Sequence, residues 1–309
     1  MSNIKKPINM YAITGASGNI GKLIALELLS KGKKVRAIGR TEDHLKDIKT
    51  KGGEIFIGDL NDSAFVQKSF AGCSGVFCMI PPNSKATDFK KDQQKVASNY
   101  INAVKANNVK YVVLLSSVGA HLRNGAGVVD GLGYLEERFS ELKDVNVLSL
   151  RCGYFMENLF GQLEMINMTG FMGSSIKATI PFPIVATKDI AAVASKCLLD
   201  LNFKGFNINY VLGPKDLTYN EITKIVGKAI GLQDLKYVEF SYEDAENGMV
   251  QAGVVSRNIA HLYQGLSESF NTGKALNAHT RSRDNSTSTT LEEFVKSFKL
   301  KKRLADHHA

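Results

Sequence analysis

Apolar and polar positions fall into regular blocks along the first half of the chain. Met10-Tyr11-Ala12-Ile13-Thr14 is an apolar run that leads into Gly15-Ala16-Ser17-Gly18-Asn19-Ile20-Gly21. Behind this loop Ile20, Leu23, Ile24 and Leu28 recur at i, i+3, i+4 and i+8, the spacing of one helix face. Gly32 can stop that helix, and the run Val35-Arg36-Ala37-Ile38-Gly39-Arg40 reads as a second strand. Thr41 then offers an N-cap for a short helix ended by Gly52-Gly53. Glu54 to Asp59 reads as a third strand, and Asn61 or Asp62 caps a helix over about 63–71. Gly75 to Ile80 is a fourth strand, stopped by Pro81-Pro82, and a long helix spans about 87–107. Tyr111 to Leu115 is a fifth strand ending in Ser116-Ser117, and Val145 to Leu150 is a sixth, after a helix at about 134–142. These runs are apolar throughout rather than alternating, as parallel strands covered on both faces require. Strand, loop and helix in regular succession predict an α/β fold, a doubly wound parallel sheet of Rossmann type.

The second half is less regular. Residues 118–133 carry glycines at 119, 125, 127, 131 and 133, too many for a tight βα turn, and read as an active-site loop. From 151 a helix-like stretch runs to about 168, followed by a loose glycine segment at 170–175. Thr187-Lys188-Asp189 caps a helix to about 200, and Phe206 to Val211 is a late strand able to rejoin the sheet. Helices follow over Tyr219 to Ile230 and near 242–250 and 254–270, then a polar surface loop or mobile segment at 280–290 and a last helix from Leu291. The expected division is a nucleotide-binding domain over 1–153, rejoined by 188–212. A smaller, mostly helical C-terminal lobe takes 154–187 and 213–309.

Composition narrows the class. At 309 residues and 44% hydrophobic content the chain can bury a substantial core. It holds no run of about 18 apolar residues, so no membrane span is expected. Met1 to Pro7 is polar with no apolar signal core behind it, and the four cysteines form no CxxC pair. Both point to reduced thiols and a cytoplasmic protein. The net charge of +9 is spread along the chain, and its one tight cluster, Lys299 to Arg303, reads as a solvated helix end. Charge alone therefore does not make this a nucleic-acid protein. His307-His308 lack a third ligand nearby, so no metal is expected.

The glycine loop between strand and helix predicts a dinucleotide pyrophosphate site. Glycines let the backbone approach the phosphates, and the free N–H groups of the helix stabilise their charge. An NAD site usually places Asp or Glu at the end of the second strand. This chain has Gly39-Arg40-Thr41 there, and an arginine can pair with a 2′-phosphate, so NADP(H) is favoured over NAD(H). Asp59 at the tip of the third strand is either a partner for the adenine amine or the N-cap of the next helix.

TGASGNIG, IGR, IGDL, IPPN, LLSSVGA, LRCGYFMEN and GPKDLTYNEI, in that order, resemble the NmrA-like group of atypical short-chain dehydrogenase/reductases, similar to its NAD(P)H:quinone reductase-like members. The resemblance implies NADP(H) in the groove and a pocket for a small-molecule acceptor or effector between two lobes. Carried onto this chain, the cofactor contacts would be Gly15, Ser17, Gly18, Asn19, Ile20, Arg40, Asp59, Leu60, Ile80, Pro81, Ser116, Tyr154 and Phe155. Short-chain dehydrogenases use a Tyr with a Lys four residues later, and a Ser that polarises the carbonyl. Tyr134 and Arg138 have that spacing with Arg for Lys, a poor copy because a guanidinium does not give up its proton. Ser116 lies at the carboxyl end of the fifth strand, where ligands of open α/β sheets bind. Tyr154, Met156 and Asn158 are candidates to wall the acceptor pocket, and His121 to donate to a substrate oxygen. Two readings follow: a reductase passing hydride from NADPH to a quinone or similar apolar carbonyl acceptor, and a non-enzymatic NADP(H) redox sensor acting through a protein partner.

Overall fold

The computed structural model describes residues 10–300. Its first half alternates strand and helix: β1 (Tyr11–Ile13), α1 (Asn19–Ser30), β2 (Val35–Gly39), α2 (Lys46–Thr50), β3 (Glu54–Ile57) and α3 (Ser63–Ser69). β4 (Gly75–Cys78), α4 (Phe89–Ala106), β5 (Tyr111–Ser117), α5 (Asp130–Ser140) and β6 (Asn146–Cys152) continue it. The second half holds β7 (Tyr154–Phe155), α6 (Leu159–Thr169), β8 (Met172–Ser174), β9 (Phe182–Val185), α7 (Thr187–Asp200), β10 (Phe206–Val211) and β11 (Asp216–Leu217). It closes with α8 (Tyr219–Ile230), β12 (Tyr237–Glu239), α9 (Tyr242–Gln251), α10 (Arg257–Asn271) and α11 (Leu291–Phe294).

Seven strands form one sheet in the order β10-β6-β5-β4-β1-β2-β3, and every pairing in it is parallel. Residues alternate across it. Tyr11 and Ile13 pack with Ile24 and Leu28 of α1 and Ile190 and Leu198 of α7, while Ala12 faces Val66, Tyr100, Leu135 and Phe139 on the other side. A sheet buried on both faces explains why its strands read as unbroken apolar runs. A third core gathers Met156, Phe182, Tyr219, Ile222 and Phe270 around the small sheets β11-β9-β7 and β12-β8. This is the Rossmann-like α/β fold with a smaller C-terminal lobe. β10 pairs with β6, so the late strand does rejoin the sheet.

Four local expectations are corrected. Residues 118–133 are not loose: Val118, Gly119, Ala120, Ala126 and Gly127 are buried, and helix α5 already begins at Asp130. A Cβ on Gly127 would lie 1.8 Å from the Leu262 carbonyl oxygen, so glycine there serves close packing against α10. Helix α7 is not capped by its own Thr187-Lys188-Asp189 side chains; the carboxylate of Glu157 accepts from the Thr187 N–H at 3.1 Å and its hydroxyl at 2.6 Å. Thr41 makes no cap, and Glu42 precedes the 3₁₀ turn that leads to α2. The polar 280–290 segment is the expected surface loop, and it is tied to the chain, with Thr287 N–H donating to Leu212 and Thr289 to Asp189. Of the tail cluster, Lys301 to Arg303, with His307 and His308 and the N-terminal Met1 to Pro7, lie outside the described residues. Lys299 follows the 3₁₀ turn Val295–Ser297 rather than ending a helix. Among the described residues no helix is long and apolar enough to cross a membrane, and no cluster of three or more His, Cys, Asp or Glu is poised for a metal.

Candidate nucleotide-binding and active site

The order of strands reverses between β1 and β4, the point beyond whose carboxyl ends open α/β sheets bind their ligands. Thr14, fully buried, links the two strands there. Its Oγ donates to the Phe77 carbonyl at 3.0 Å and accepts from the Met79 N–H at 2.9 Å. The phenol of Tyr100, from α4, donates to the Met79 carbonyl at 2.6 Å. Both main-chain polar groups of Met79 are thereby fixed beside the glycine loop.

The loop is shaped by close approach. A Cβ on Gly21 would meet the Gly15 carbonyl oxygen at 2.4 Å, so only glycine lets α1 start this near the turn. Gly18 is the N-cap of α1 and carries no side chain to satisfy the first-turn N–H groups, and that turn holds no acidic residue. Ser17, Gly18 and Asn19 are exposed while Ile20 is anchored in the core. The result is an open, positively polarised helix end suited to a phosphate.

Arg40, one residue past β2, is exposed and makes no ion pair or hydrogen bond among the described residues. Its acidic neighbour Glu42 is engaged by Lys49. Asp59 accepts from Asn61 N–H at 2.9 Å, whereas Asp62 caps α3. The N-cap alternative for Asp59 therefore falls away. Leu60 is buried and its carbonyl accepts from Asn99 of α4 at 2.8 Å, which pins the loop that follows β3. Ile80 and Pro81 follow β4, both half-buried.

The proposed acid–base residues share no hydrogen bond with one another among the described residues. Ser116 is buried and its hydroxyl donates to Glu136 Oε1 at 2.7 Å. The same carboxylate accepts from Ser149 at 2.8 Å and from Arg151 Nη2 at 2.6 Å, and Arg151 Nη1 donates to the Tyr210 hydroxyl at 3.0 Å. Burial pulls the Arg151 guanidinium down, but hydrogen bonding and charge from Glu136 leave it above its ordinary value. Tyr134 packs against the apolar layer shared with α4, and Arg138 turns to Glu141, at 2.5–2.7 Å. His121 lies within 3.1 Å of the Lys274 carbonyl through Nε2, so that nitrogen carries the donated hydrogen and Nδ1 is left an unpartnered acceptor.

Beyond β6 the chain turns into the smaller lobe. Phe155 packs toward the layer that holds Met79, and Tyr154 toward the third core, edge-on to Phe182 with centroids 5.6 Å apart. Burial, reinforced by Tyr219, pushes the Tyr154 phenol well above its ordinary value, with Asn158 opposing. Burial likewise pushes Tyr219 up to about 12. Asn158 is exposed, and Met156 is buried in the third core, where it lines a small cavity with Ile184, Leu217 and Thr290. Thr14, Asn99, Tyr100 and Glu136 were not singled out from sequence. Arg151 carried one signal, a charge inside an otherwise apolar strand.

Residues 15–136 match the NAD(P)H-binding family model, and the chain therefore carries an NAD(P)H-binding domain on a Rossmann-like sheet. Its relatives are reductases and others. It is 24% identical to an NAD(P)H azoreductase of Xenophilus azovorans over 79% of this chain and 82% of that one. It is 25% identical to prestalk A differentiation protein A of Dictyostelium discoideum over 84% and 82%. Among solved structures, an NADPH-dependent quinone oxidoreductase of Escherichia coli, complexed with NADPH, superposes with a TM-score of 0.76 at 21% identity, covering 93% of this chain and 98% of that one. The triphenylmethane reductase of Citrobacter sp., complexed with NADP(H), gives 0.75 at 21% identity, with 93% and 99% covered.

Proposed function

We propose that the protein is an NADPH-dependent reductase that passes hydride to a quinone or a similar small apolar acceptor. The carrying observation is a contrast within the groove: the nucleotide cradle is open, while the serine of a carbonyl-reducing site donates to Glu136 and the arginine that stands for its lysine is paired with Glu141. Hydride transfer to a quinone fits such a site, because the reduced ring collects its remaining proton from water: NADPH, quinone and one proton give NADP⁺ and hydroquinone. The activities for which these relatives are named (azo, quinone and triphenylmethane reduction) support the same acceptor chemistry. Pure protein incubated with NADPH and a quinone panel should lose nicotinamide absorbance. No oxidation above background sinks the reading.

Arg40 supports the choice of NADPH over NADH, since no carboxylate holds it. A charge-assisted hydrogen bond contributes about 1.5–3 kcal/mol, so Arg40→Ala should weaken NADPH about 10- to 100-fold and leave NADH affinity within about twofold. Isothermal titration with each nucleotide checks this. Equal losses for both nucleotides would assign Arg40 to the shared half of the ligand instead.

The committed Ser116 also supports a second reading, a redox sensor that binds NADP(H) and acts through a protein partner. A sensor must distinguish oxidised from reduced nucleotide. If NADP⁺ and NADPH bind equally and leave partner capture unchanged, that reading fails.

A further inference from the structure

Between β4 and α4 the chain runs through residues 79–88 without helix or strand, longer than the usual βα connection of about 2–6 residues. Its first residue lies against the glycine loop: a Cβ on Gly15 would come within 2.7 Å of the Met79 sulfur. Between Pro81 and Ala86 the loop is exposed and buries no side chain. Among the described residues, the hydrogen bonds that tie 80–89 to any element other than α4 all run to the start of α10. Ser256 N–H donates to the Ser84 carbonyl at 2.9 Å, and its hydroxyl donates to the Ala86 carbonyl at 2.6 Å. The Phe89 N–H donates to Asn258 Oδ1 at 2.9 Å. Ala86 and Phe89 are buried against Val255, Ile259 and Leu262. The capping is reciprocal. Ser256 is the N-cap of α10, accepting the Ile259 N–H at 3.4 Å, while Asn258 satisfies the first N–H of α4. The other end of α10 is held in the smaller lobe. Phe270 lies in the third core, and Asn271 donates to the Ser175 carbonyl and accepts the Lys177 N–H, both at 2.8 Å.

We propose that Asn258 and Ser256 are positioning residues for the nicotinamide half of the bound nucleotide, acting through residues 80–88. The N-terminus of α1 suits the pyrophosphate, and the end of β2 suits the adenosine ribose. A dinucleotide laid across the switch point therefore sends its nicotinamide half to the side of β4 and β5, where 80–88 follows β4. A loop without buried side chains of its own takes its order from what holds it, and here that is α10. The smaller lobe thus removes in advance the ordering entropy that nucleotide binding would otherwise have to offset. This rests on the nucleotide-binding half of the reductase reading and not on turnover.

Asn258 is exposed, so its replacement leaves the core intact. Calorimetry with two probes separates the halves of the ligand: NADPH, and adenosine 2′,5′-bisphosphate, which lacks the nicotinamide. Asn258→Leu should weaken NADPH about fivefold, and Ser256→Ala with Asn258→Leu about 20-fold, while the bisphosphate stays within about twofold in both. Asn258→Asp keeps an acceptor at the positive end of α4 and should hold NADPH within about twofold of wild type. Equal losses for both probes overturn the proposal by assigning the contact to the fold of the whole nucleotide domain. Melting temperatures that fall while both affinities stay unchanged overturn it as well, by assigning the contact to stability alone. So does an Asn258→Asp variant as weak as Asn258→Leu, or a wild type that binds NADPH no more tightly than the bisphosphate. Wild type that binds NADPH more tightly than the bisphosphate yet passes hydride to no acceptor defeats the reductase reading and leaves this test in force.

Discussion

Glu136→Ala is expected to cost about 3–5 kcal/mol of folding stability. Glu136 and Arg151 are nearly excluded from water, with side chains 6% and 10% exposed. Removing the carboxylate leaves a buried guanidinium that keeps only the Tyr210 hydroxyl, and strips Ser116 and Ser149 of their acceptor. The penalty is the uncompensated charge more than the lost Coulomb attraction. A paired replacement, Glu136→Met with Arg151→Met, removes both charges and should recover most of the loss. Denaturant unfolding monitored by circular dichroism measures both. A cost below about 1 kcal/mol for Glu136→Ala would mean that water or another group compensates Arg151. The position matters for function too, because the network ties β5, β6, β10 and α5 together at the carboxyl edge where a ligand would lie.

This network has no signature in the amino-acid sequence. Periodicity located the sheet because parallel strands buried on both faces leave continuous apolar runs, and the glycine loop was legible because its spacing is set by backbone contacts between neighbours in sequence. Long-range polar pairings leave no such trace. Glu136 and Glu137 are adjacent acids on one helix, and only the fold turns one inward and the other to Arg123. Glycine composition misled at 118–133 for a physical reason. Gly131 and Gly133 lie in α5, where a Cβ would meet Gln93 Oε1 at 2.2 Å or the Ala120 carbonyl oxygen at 2.4 Å. Glycine there marks crowding between elements, which a single sequence does not distinguish from slack. The Thr187 cap failed likewise: the acceptor at the start of α7 is Glu157, thirty residues upstream, and Asp189 serves Thr289 instead.

The same crowding logic predicts the largest functional effect at Gly21. Gly21→Ala should weaken nicotinamide-nucleotide binding about 100-fold, because an added methyl group would lie 2.4 Å from the Gly15 oxygen, 2.7 Å from its carbon and 3.0 Å from the Ala16 nitrogen. All three are backbone atoms, so no rotamer change relieves the clash. The turn is itself held: Ala16 N–H donates to the Ile38 carbonyl at 3.1 Å and Gly18 N–H to the Gly15 carbonyl at 2.9 Å. Either the α1 N-terminus moves away from the turn or those bonds stretch, and both displace the N–H groups that meet the phosphates. Gly18→Ala is the informative comparison. A Cβ there comes only within 3.4 Å of the Gly15 oxygen, so its loss should be several-fold smaller although it stands nearer the expected phosphate. Nucleotide titration of both variants, beside thermal melts that register the accompanying strain of about 1–3 kcal/mol, tests the ranking. If Gly18→Ala proved the more damaging, direct approach of the phosphate to the loop, rather than the fit of helix against turn, would be the stricter demand on these glycines.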